Sequence, residues 1–285
     1  VSARTWTIRD VLDWAAADFE SRGIESARLD AELLVAEALE LERIGLYLDL
    51  GRPLSETERA AIRPLIARRR EREPVAYILG RRDFYGREFR VTPDVLIPRP
   101  DTETLVEHAL RCIPEDRSVR VVDVGTGSGA IAISLAAERP NAIVTATDIS
   151  EAALAVAKDN AERLGVADRI RFERADLLGD QGPYELVVSN PPYIRTDELA
   201  ELEPEVKTHE PTAALEGGED GLDLVRALLE RASDATDADA HLLLEVGAGQ
   251  AAEVASLAGA SSSWRHEATY LDLNRIDRVV HLRRT

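Results

Sequence analysis

Asn190-Pro191-Pro192-Tyr193 follows directly on the apolar stretch 184–188, and these four residue types suit one task, holding a planar amine or amide. Proline has no N–H, so the backbone here offers mainly carbonyl acceptors, and the Asn190 side chain adds one more beside them. A bound NH2 group would find its hydrogens matched, with Tyr193 as a flat apolar face against it. At the C-terminal end of a strand, the motif sits where open α/β sheets bind ligands. Taken alone, the same residues could be a proline-rich loop that merely ends a strand.

Upstream, Val121-Val122-Asp123-Val124 runs into Gly125-Thr126-Gly127-Ser128-Gly129 and then a helical pattern over 130–138. Such a strand, glycine turn and helix let a ligand approach bare backbone while N-terminal N–H groups of the helix point at it. The dinucleotide pattern G-x-G-x-x-G would need a glycine where Ala130 stands. Alanine is sometimes allowed there, so this detail alone does not exclude a nicotinamide cofactor. The next strand, 142–147, ends in Asp148, whose carboxylate can accept from both hydroxyls of an adenosine ribose. Asp176 follows the strand at 170–173. Acid, glycine turn, acid, acid and Asn-Pro-Pro-Tyr thus recur at successive strand ends, the arrangement a class I S-adenosylmethionine methyltransferase requires.

Further segments carry a resemblance across most of the chain. Arg72-Glu73-Pro74-Val75-Ala76-Tyr77-Ile78-Leu79-Gly80, Phe84-Tyr85-Gly86 and Leu96-Ile97-Pro98-Arg99-Pro100-Asp101-Thr102-Glu103 precede the glycine turn. His209-Glu210-Pro211, Leu215, Gly217-Gly218-Glu219-Asp220-Gly221-Leu222 and Leu244-Glu245-Val246-Gly247 with Gln250 follow Tyr193. Together with the two motifs above, they resemble the HemK/PrmC family of protein-(glutamine-N5) methyltransferases. One departure is at 272–278, where Asn274-Arg275 stands in place of an expected glycine. Asn274 is read as able to take the left-handed turn that the glycine would.

The resemblance implies a fold, a cofactor and a substrate. The fold is a Rossmann-like, mostly parallel sheet with an antiparallel C-terminal addition, preceded by a small helical domain. Gly125, Thr126, Gly127, Ser128 and Gly129 would pass beneath the methionine part of S-adenosyl-L-methionine. Asp148 would hold its ribose, Asp176 and Leu177 would flank its adenine, and Asn190 would border it. S-adenosyl-L-homocysteine would be the product, with no metal involved. Asn190, Pro191 and Tyr193 would be catalytic and Asn190 to Tyr193 would bind substrate, the Asn190 oxygen and Pro191 carbonyl accepting the two amide hydrogens. The implied substrate is the glutamine of the Gly-Gly-Gln motif in class-1 peptide chain release factors. Pro98-Arg99-Pro100 with Thr102 and Glu103 would close the site, or simply begin a helix, and Glu245 reads as a structural acid.

Composition agrees with an enzyme of two parts. A length of 285 residues suits about two domains. No apolar run approaches membrane-spanning length, and the N-terminus lacks signal-peptide character, so a cytoplasmic location is expected. The single Cys112 excludes an intramolecular disulfide framework and reads as a small helix residue. The five histidines show no paired ligand spacing. A net charge of -18 disfavours stable nucleic-acid binding and favours a basic protein partner. A monomer is expected. Arg63, Arg68, Arg69, Arg70, Arg72, Arg81 and Arg82 are a basic patch or a solvated helix face interspersed with Glu71 and Glu73.

Residues 1–73 read as a helical substrate-recognition domain, 74–97 as a connecting hairpin and 98–285 as the methyltransferase domain. Ile8, Val11, Leu12 and Ala15 make one apolar stripe, and Leu29, Leu33, Leu34, Ala36 and Leu41 another. Ser55 with Glu58 predicts a capping box opening a helix over 56–72. Residues 77–91 read as extended with turns at Gly80 and Gly86. From Pro98 strands and helices alternate, predicting a parallel doubly wound sheet, and 264–270 with 278–283 an antiparallel pair. Three rivals are a ribosomal-protein glutamine methyltransferase, a nucleic-acid adenine-N6 methyltransferase and a non-catalytic cofactor-binding module. The short helical N-terminus with Glu73-Pro74-Val75-Ala76-Tyr77 favours release factors over the first. Charge and the lack of a target-recognition insert disfavour the second, and two intact motifs the third.

Overall fold

The computed structural model describes residues 5–285, which divide into two compact units, one running to Gly80 with Glu203–His209 added, the other Arg81–Leu202 with Glu210–Thr285. The first unit is helical: α1 (Ile8–Ser21), α2 (Ala27–Ala38), α3 (Arg43–Leu48), α4 (Glu56–Arg70) and α5 (Val75–Leu79). Capping boxes start two of them, Thr7 with Asp10 at α1 and Ser55 with Glu58 at α4. Each supplies a side-chain acceptor for an otherwise orphaned N–H. Ile8, Val11, Leu12 and Ala15 are all buried, as their spacing predicts. The second stripe departs from its pattern. Leu29 and Leu41 are exposed, and α2 buries Ala27, Ala31, Leu34 and Val35. This i, i+4, i+7, i+8 face is a truer helical stripe than one chosen by leucine content. Residues 75–79 are also helical, not extended. Pro74 presets the entry to α5, Ile78 joins the core of this unit, and Gly80 ends the helix at φ 72°.

The second unit opens with a hairpin of β1 (Arg81–Phe84) and β2 (Arg87–Arg90), turning at Tyr85 and Gly86, both with positive φ. The remaining elements are α6 (Glu103–Cys112), β3 (Arg120–Val124), α7 (Ala130–Glu138), β4 (Ile143–Asp148), α8 (Glu151–Arg163), β5 (Ile170–Arg174) and β6 (Tyr184–Ser189). After α9 (Pro204–His209), whose residues belong to the first unit, come α10 (Asp223–Asp234), β7 (Thr236–Glu245), α11 (Ala251–Ala260), β8 (Trp264–Leu271) and β9 (Asp277–Arg284). Seven strands form one sheet in the order β5-β4-β3-β6-β7-β9-β8. The first five are parallel and β9 and β8 antiparallel.

Alternate residues of one strand feed two different cores. Val121 packs with α6 and α7 on one face of the sheet, Val122 and Val124 with α10 and α11 on the other. Both faces are covered, which explains why strands such as 184–188 read as near-continuous apolar runs. The chain order reverses between β3 and β6. That crevice is where doubly wound sheets bind ligands, and the glycine turn and Asn190 leave the sheet on its two sides.

The loop 272–276 corrects one expectation. Arg275, with φ 64°, takes the left-handed backbone, and Asn274 does not. Asp272 explains why an arginine is accepted there: its Oδ1 accepts from the N–H groups of Asn274 at 2.8 Å and Ile276 at 3.0 Å. The side-chain bonds of the turn come from Asp272, so the residue at the bend need only bear modest backbone strain.

Candidate active site

A cavity of about 480 Å³ opens at the crevice, lined by Gly125, Gly127, Asp148, Asp176, Leu177, Asn190 and Pro192 among others. Gly125 and Gly127 have no neighbour within 4 Å of the place a Cβ would occupy, so bare backbone faces the space. Gly129 has a different duty. Its φ is 82°, and a Cβ there would lie 2.8 Å from Ile133 Cδ1 and 3.2 Å from Ala157 Cβ, so it is required for α7 and α8 to pack. Thr126 and Ser128 turn away from the cavity. Thr126 Oγ1 donates to Asp123 Oδ2 at 2.6 Å, and the Ser128 carbonyl accepts from Asn160. Asp123 also accepts from Ala132 N–H and is fully enclosed, and burial pushes its carboxyl up to about 7. It ties the turn to the start of α7.

Asp148 ends β4 with both oxygens engaged: Oδ2 accepts from Gly127 N–H and Oδ1 from Ser150 N–H, each at 2.9 Å. Each oxygen keeps a lone pair for a further donor in the cavity. Asp176 is exposed at the rim, and Leu177 takes a φ of 71°, its carbonyl held by Thr147 Oγ1 at 2.5 Å. The two acids therefore differ, one preorganised and one at the edge.

The Asn-Pro-Pro-Tyr segment is braced from two sides. Ser189 Oγ donates to the Val124 carbonyl at 2.7 Å, joining the ends of β6 and β3. Gln250 Nε2 donates to the Tyr193 carbonyl at 3.0 Å while its Oε1 accepts from Gly247 N–H. Ile194 N–H donates to Leu215 C=O, and Gly217 N–H to Ile194 C=O, a short parallel bridge. At Gly217 a Cβ would lie 2.6 Å from the Pro192 carbonyl, so this backbone packs directly on the motif. Asn190 and Pro192 reach the cavity, whereas Pro191 is buried and Tyr193 packs against Gly247, neither of them lining it. Burial raises the Tyr193 phenol. Glu210, almost enclosed, accepts from Ile97 N–H and pairs with the Arg99 guanidinium, anchoring the segment around Pro98.

These features are those of a family for which close relatives exist. A model of the PrmC N-terminal domain matches residues 10–80, and one of the methyltransferase small domain matches 101–205. A release factor glutamine methyltransferase of Geobacter sulfurreducens is 46% identical over 278 residues, covering 96% of each chain. One from Bradyrhizobium diazoefficiens is 42% identical over 273 residues, 94% of this chain and 92% of the relative. The chain belongs to the release factor glutamine methyltransferases. Solved structures support the fold of this family member. A methyltransferase from Pyrococcus furiosus aligns with a TM-score of 0.53 at 17% identity, over 70% of this chain and 90% of its own. The hMettl16 catalytic domain aligns at 0.56 with 15% identity, over 76% and 81%.

In this methyltransferase the structure adds residues to which the sequence reading gave no part in the site. Asp94 to Leu96, Ile149 with Ser150 and Ala153, and Pro211 with Ala213, Ala214 and Glu216 to Gly218 also line the cavity. Nothing periodic marks such residues, because they reach one cavity from loops far apart in sequence. Cys112, His241 and His281 converge similarly, with potential ligand atoms within 4.8 Å, though they show no ligand spacing in sequence. A hydrogen-bonded chain links the two histidines. Arg283 donates to His241 Nε2, His241 Nδ1 faces His281 Nε2 at 2.8 Å, and His281 Nδ1 meets the Tyr270 hydroxyl. Burial lowers both imidazoles, His281 to about 4, so each is neutral at neutral pH.

Asp148→Ala is expected to weaken S-adenosylmethionine binding by about 1.5–3 kcal/mol, because a charged acceptor is lost. Asp148→Asn retains an acceptor and should fall between. Calorimetry with the free cofactor measures both, and equal affinity in wild type and alanine variant would reject the ribose role.

Proposed function

We propose that the chain transfers a methyl group from S-adenosylmethionine to the side-chain amide nitrogen of the glutamine in the Gly-Gly-Gln motif of class-1 release factors. The observation that carries this reading is that an amide acceptor and a cofactor cradle share one cavity: Asn190 faces the same space as Gly125, Gly127, Asp148, Asp176 and Leu177. Open glycine backbone and a bound carboxylate fit the methionine and ribose parts of the cofactor, which supplies an electrophilic methyl on a sulfonium.

An amide nitrogen is a poor nucleophile because its lone pair is delocalised into the carbonyl. Orientation must therefore supply much of the rate. Asn190 Oδ1 and the Pro191 carbonyl accept the two amide hydrogens and aim the lone pair into the cavity. Near-attack positioning of this kind can lower a barrier by about 7–11 kcal/mol in favourable cases. The same acceptors stabilise positive charge developing on nitrogen as the N–C bond forms and the C–S bond breaks. A proton then leaves the nitrogen for water, since an N-alkylated amide cation is strongly acidic.

The first unit is assigned to recognition of the protein substrate, a role consistent with none of its described residues lining the cavity that Asn190 and Asp148 share. A net charge of -18 suits a release factor with a basic surface, and action where ribosomes terminate translation places the enzyme in the cytoplasm. Incubation of a recombinant release factor with enzyme and cofactor, followed by peptide mass spectrometry, tests the reading. One methyl on the Gly-Gly-Gln glutamine is expected. Methylation confined to other residues, or to adenine in DNA, would overturn it.

A further inference from the structure

Glu245 ends β7 almost completely enclosed, 1% exposed, and its Oε2 has no hydrogen-bond partner. Its carboxyl faces the side chains of Thr102 and Asn190, both of which favour its charged form. Thr102 is itself buried, and its Oγ1 accepts from Asn190 Nδ2 at 3.2 Å. A buried, unpaired acceptor is costly unless it serves some arrangement around it. Here the arrangement is the asymmetry of an amide. Asn190 has an acceptor end and a donor end, and only its oxygen can receive the hydrogens of a substrate NH2.

We propose that Glu245 and Thr102 are positioning residues that fix the Asn190 side chain with its NH2 toward them and its oxygen toward the methyl-accepting nitrogen. The proposal rests on the reading of Asn190 as the substrate acceptor. An ionised carboxylate only accepts, so a reversed Asn190 would set its oxygen against a negative charge, and Thr102 would lose the N–H that it now receives. The Thr102 hydroxyl proton is free to point to the carboxylate, leaving its lone pair for Asn190. The three side chains thus have one consistent direction of donation.

Protonation of Glu245 removes that direction, because a neutral carboxyl can donate to the Asn190 oxygen and hold the reversed amide. Other charged and titratable groups bear on Glu245. Arg278 of β9 attracts it, Asp101 repels it, and the Tyr193 phenol faces it from the loop after β6. Arg278 is tied in turn to Asp272 and Asp101. Burial outweighs these attractions and raises the Glu245 carboxyl to about 7. The competent, ionised form is therefore present above that pH and lost below it.

The test uses the full chain with S-adenosylmethionine and an intact release factor. Wild-type turnover is expected to fall as pH drops through about 7. Glu245→Gln presents an uncharged carboxamide at every pH. It should lower kcat about tenfold or more at pH near 8, remove the acidic limb and leave cofactor affinity unchanged. Thr102→Val should also lower kcat, and Thr102→Ser should restore it. An activity-independent readout is the Asn190 side-chain NH2 resonance, identified by its absence in Asn190→Ala. Its shift should titrate near pH 7 in wild type and not in Glu245→Gln. Wild-type kcat and pH profile in Glu245→Gln would overturn the proposal, as would full kcat in Thr102→Val should the Glu245 variant fail to fold. Asn190→Ala, run in parallel, separates the two readings: if it loses turnover while the Glu245 and Thr102 variants keep theirs, the positioning role fails alone. If Asn190→Ala keeps turnover, the acceptor reading itself fails.

Discussion

Asn190→Ala is expected to lower methylation turnover on the order of 100-fold or more while changing cofactor affinity only slightly. The side chain lines the cavity beside the backbone of Gly125 and Gly127, yet its contacts are to Thr102 and Glu245, not to the turn. Truncation therefore removes an acceptor whose worth grows as charge appears on the substrate nitrogen, and such losses appear in kcat more than in binding. Asn190→Asp is the sharper variant, since it keeps one acceptor and the volume. It also sets a second carboxyl against that of Glu245, which burial already raises to about 7. Two carboxyls so placed cannot both ionise easily, and the pair holds a proton near neutrality. The added proton donor or added charge both spoil the acceptor pair, so turnover should fall here as well. Single-turnover mass spectrometry with calorimetry for the cofactor separates the steps. Near wild-type turnover in the alanine variant would remove the central claim about this site.

How much of this was legible in the sequence follows from the range of the interactions concerned. Helix α7 and the strand at 184–188 were readable because both are near-continuous apolar runs, and both are buried in the layers of a sheet covered on its two faces. The glycine turn, Asp148 and Asn190 were readable because each directly follows a strand, and the sheet order brings strand ends together. What escaped were partnerships between distant residues. Thr102, Asn190 and Glu245 come from three separate segments and meet only because β6 and β7 are neighbours and the turn before α6 reaches their ends. Leu29 was misread because its type suggests burial, whereas its phase on α2 directs it outward. Glu205 is the extreme case. Nothing near it in sequence indicates that its partner is an arginine 136 residues earlier.

That arginine carries the second large expectation. Arg69 is 4% exposed and divides its guanidinium among three acceptors. Nε donates to Asp30 Oδ2 and Nη2 to Glu205 Oε1, both at 2.8 Å, and Nη1 donates to the Glu73 carbonyl at 3.2 Å. Asp30 is as enclosed as its partner, so Arg69→Ala strands a carboxylate in the first unit. Breaking a buried pair from one side typically costs about 3–5 kcal/mol, more than deleting the pair altogether. Urea unfolding followed by the fluorescence of Trp6 and Trp14, both in this unit, should therefore shift strongly for Arg69→Ala. The double variant Arg69→Met with Asp30→Leu should recover much of the loss, because no unpaired charge remains. Arg72 also holds Glu205, at 2.5 Å, so Glu205 keeps one cation in the single variant, and the main penalty belongs to Asp30. The segment Glu203–His209 nevertheless loses one of its two arginine anchors within the unit it joins. Trypsin should accordingly cut after Lys207 faster in Arg69→Ala than in wild type. An unchanged urea midpoint with an unchanged cleavage rate would mean that the buried arginine contributes neither to the stability of the helical unit nor to the retention of the segment that follows Asn-Pro-Pro-Tyr.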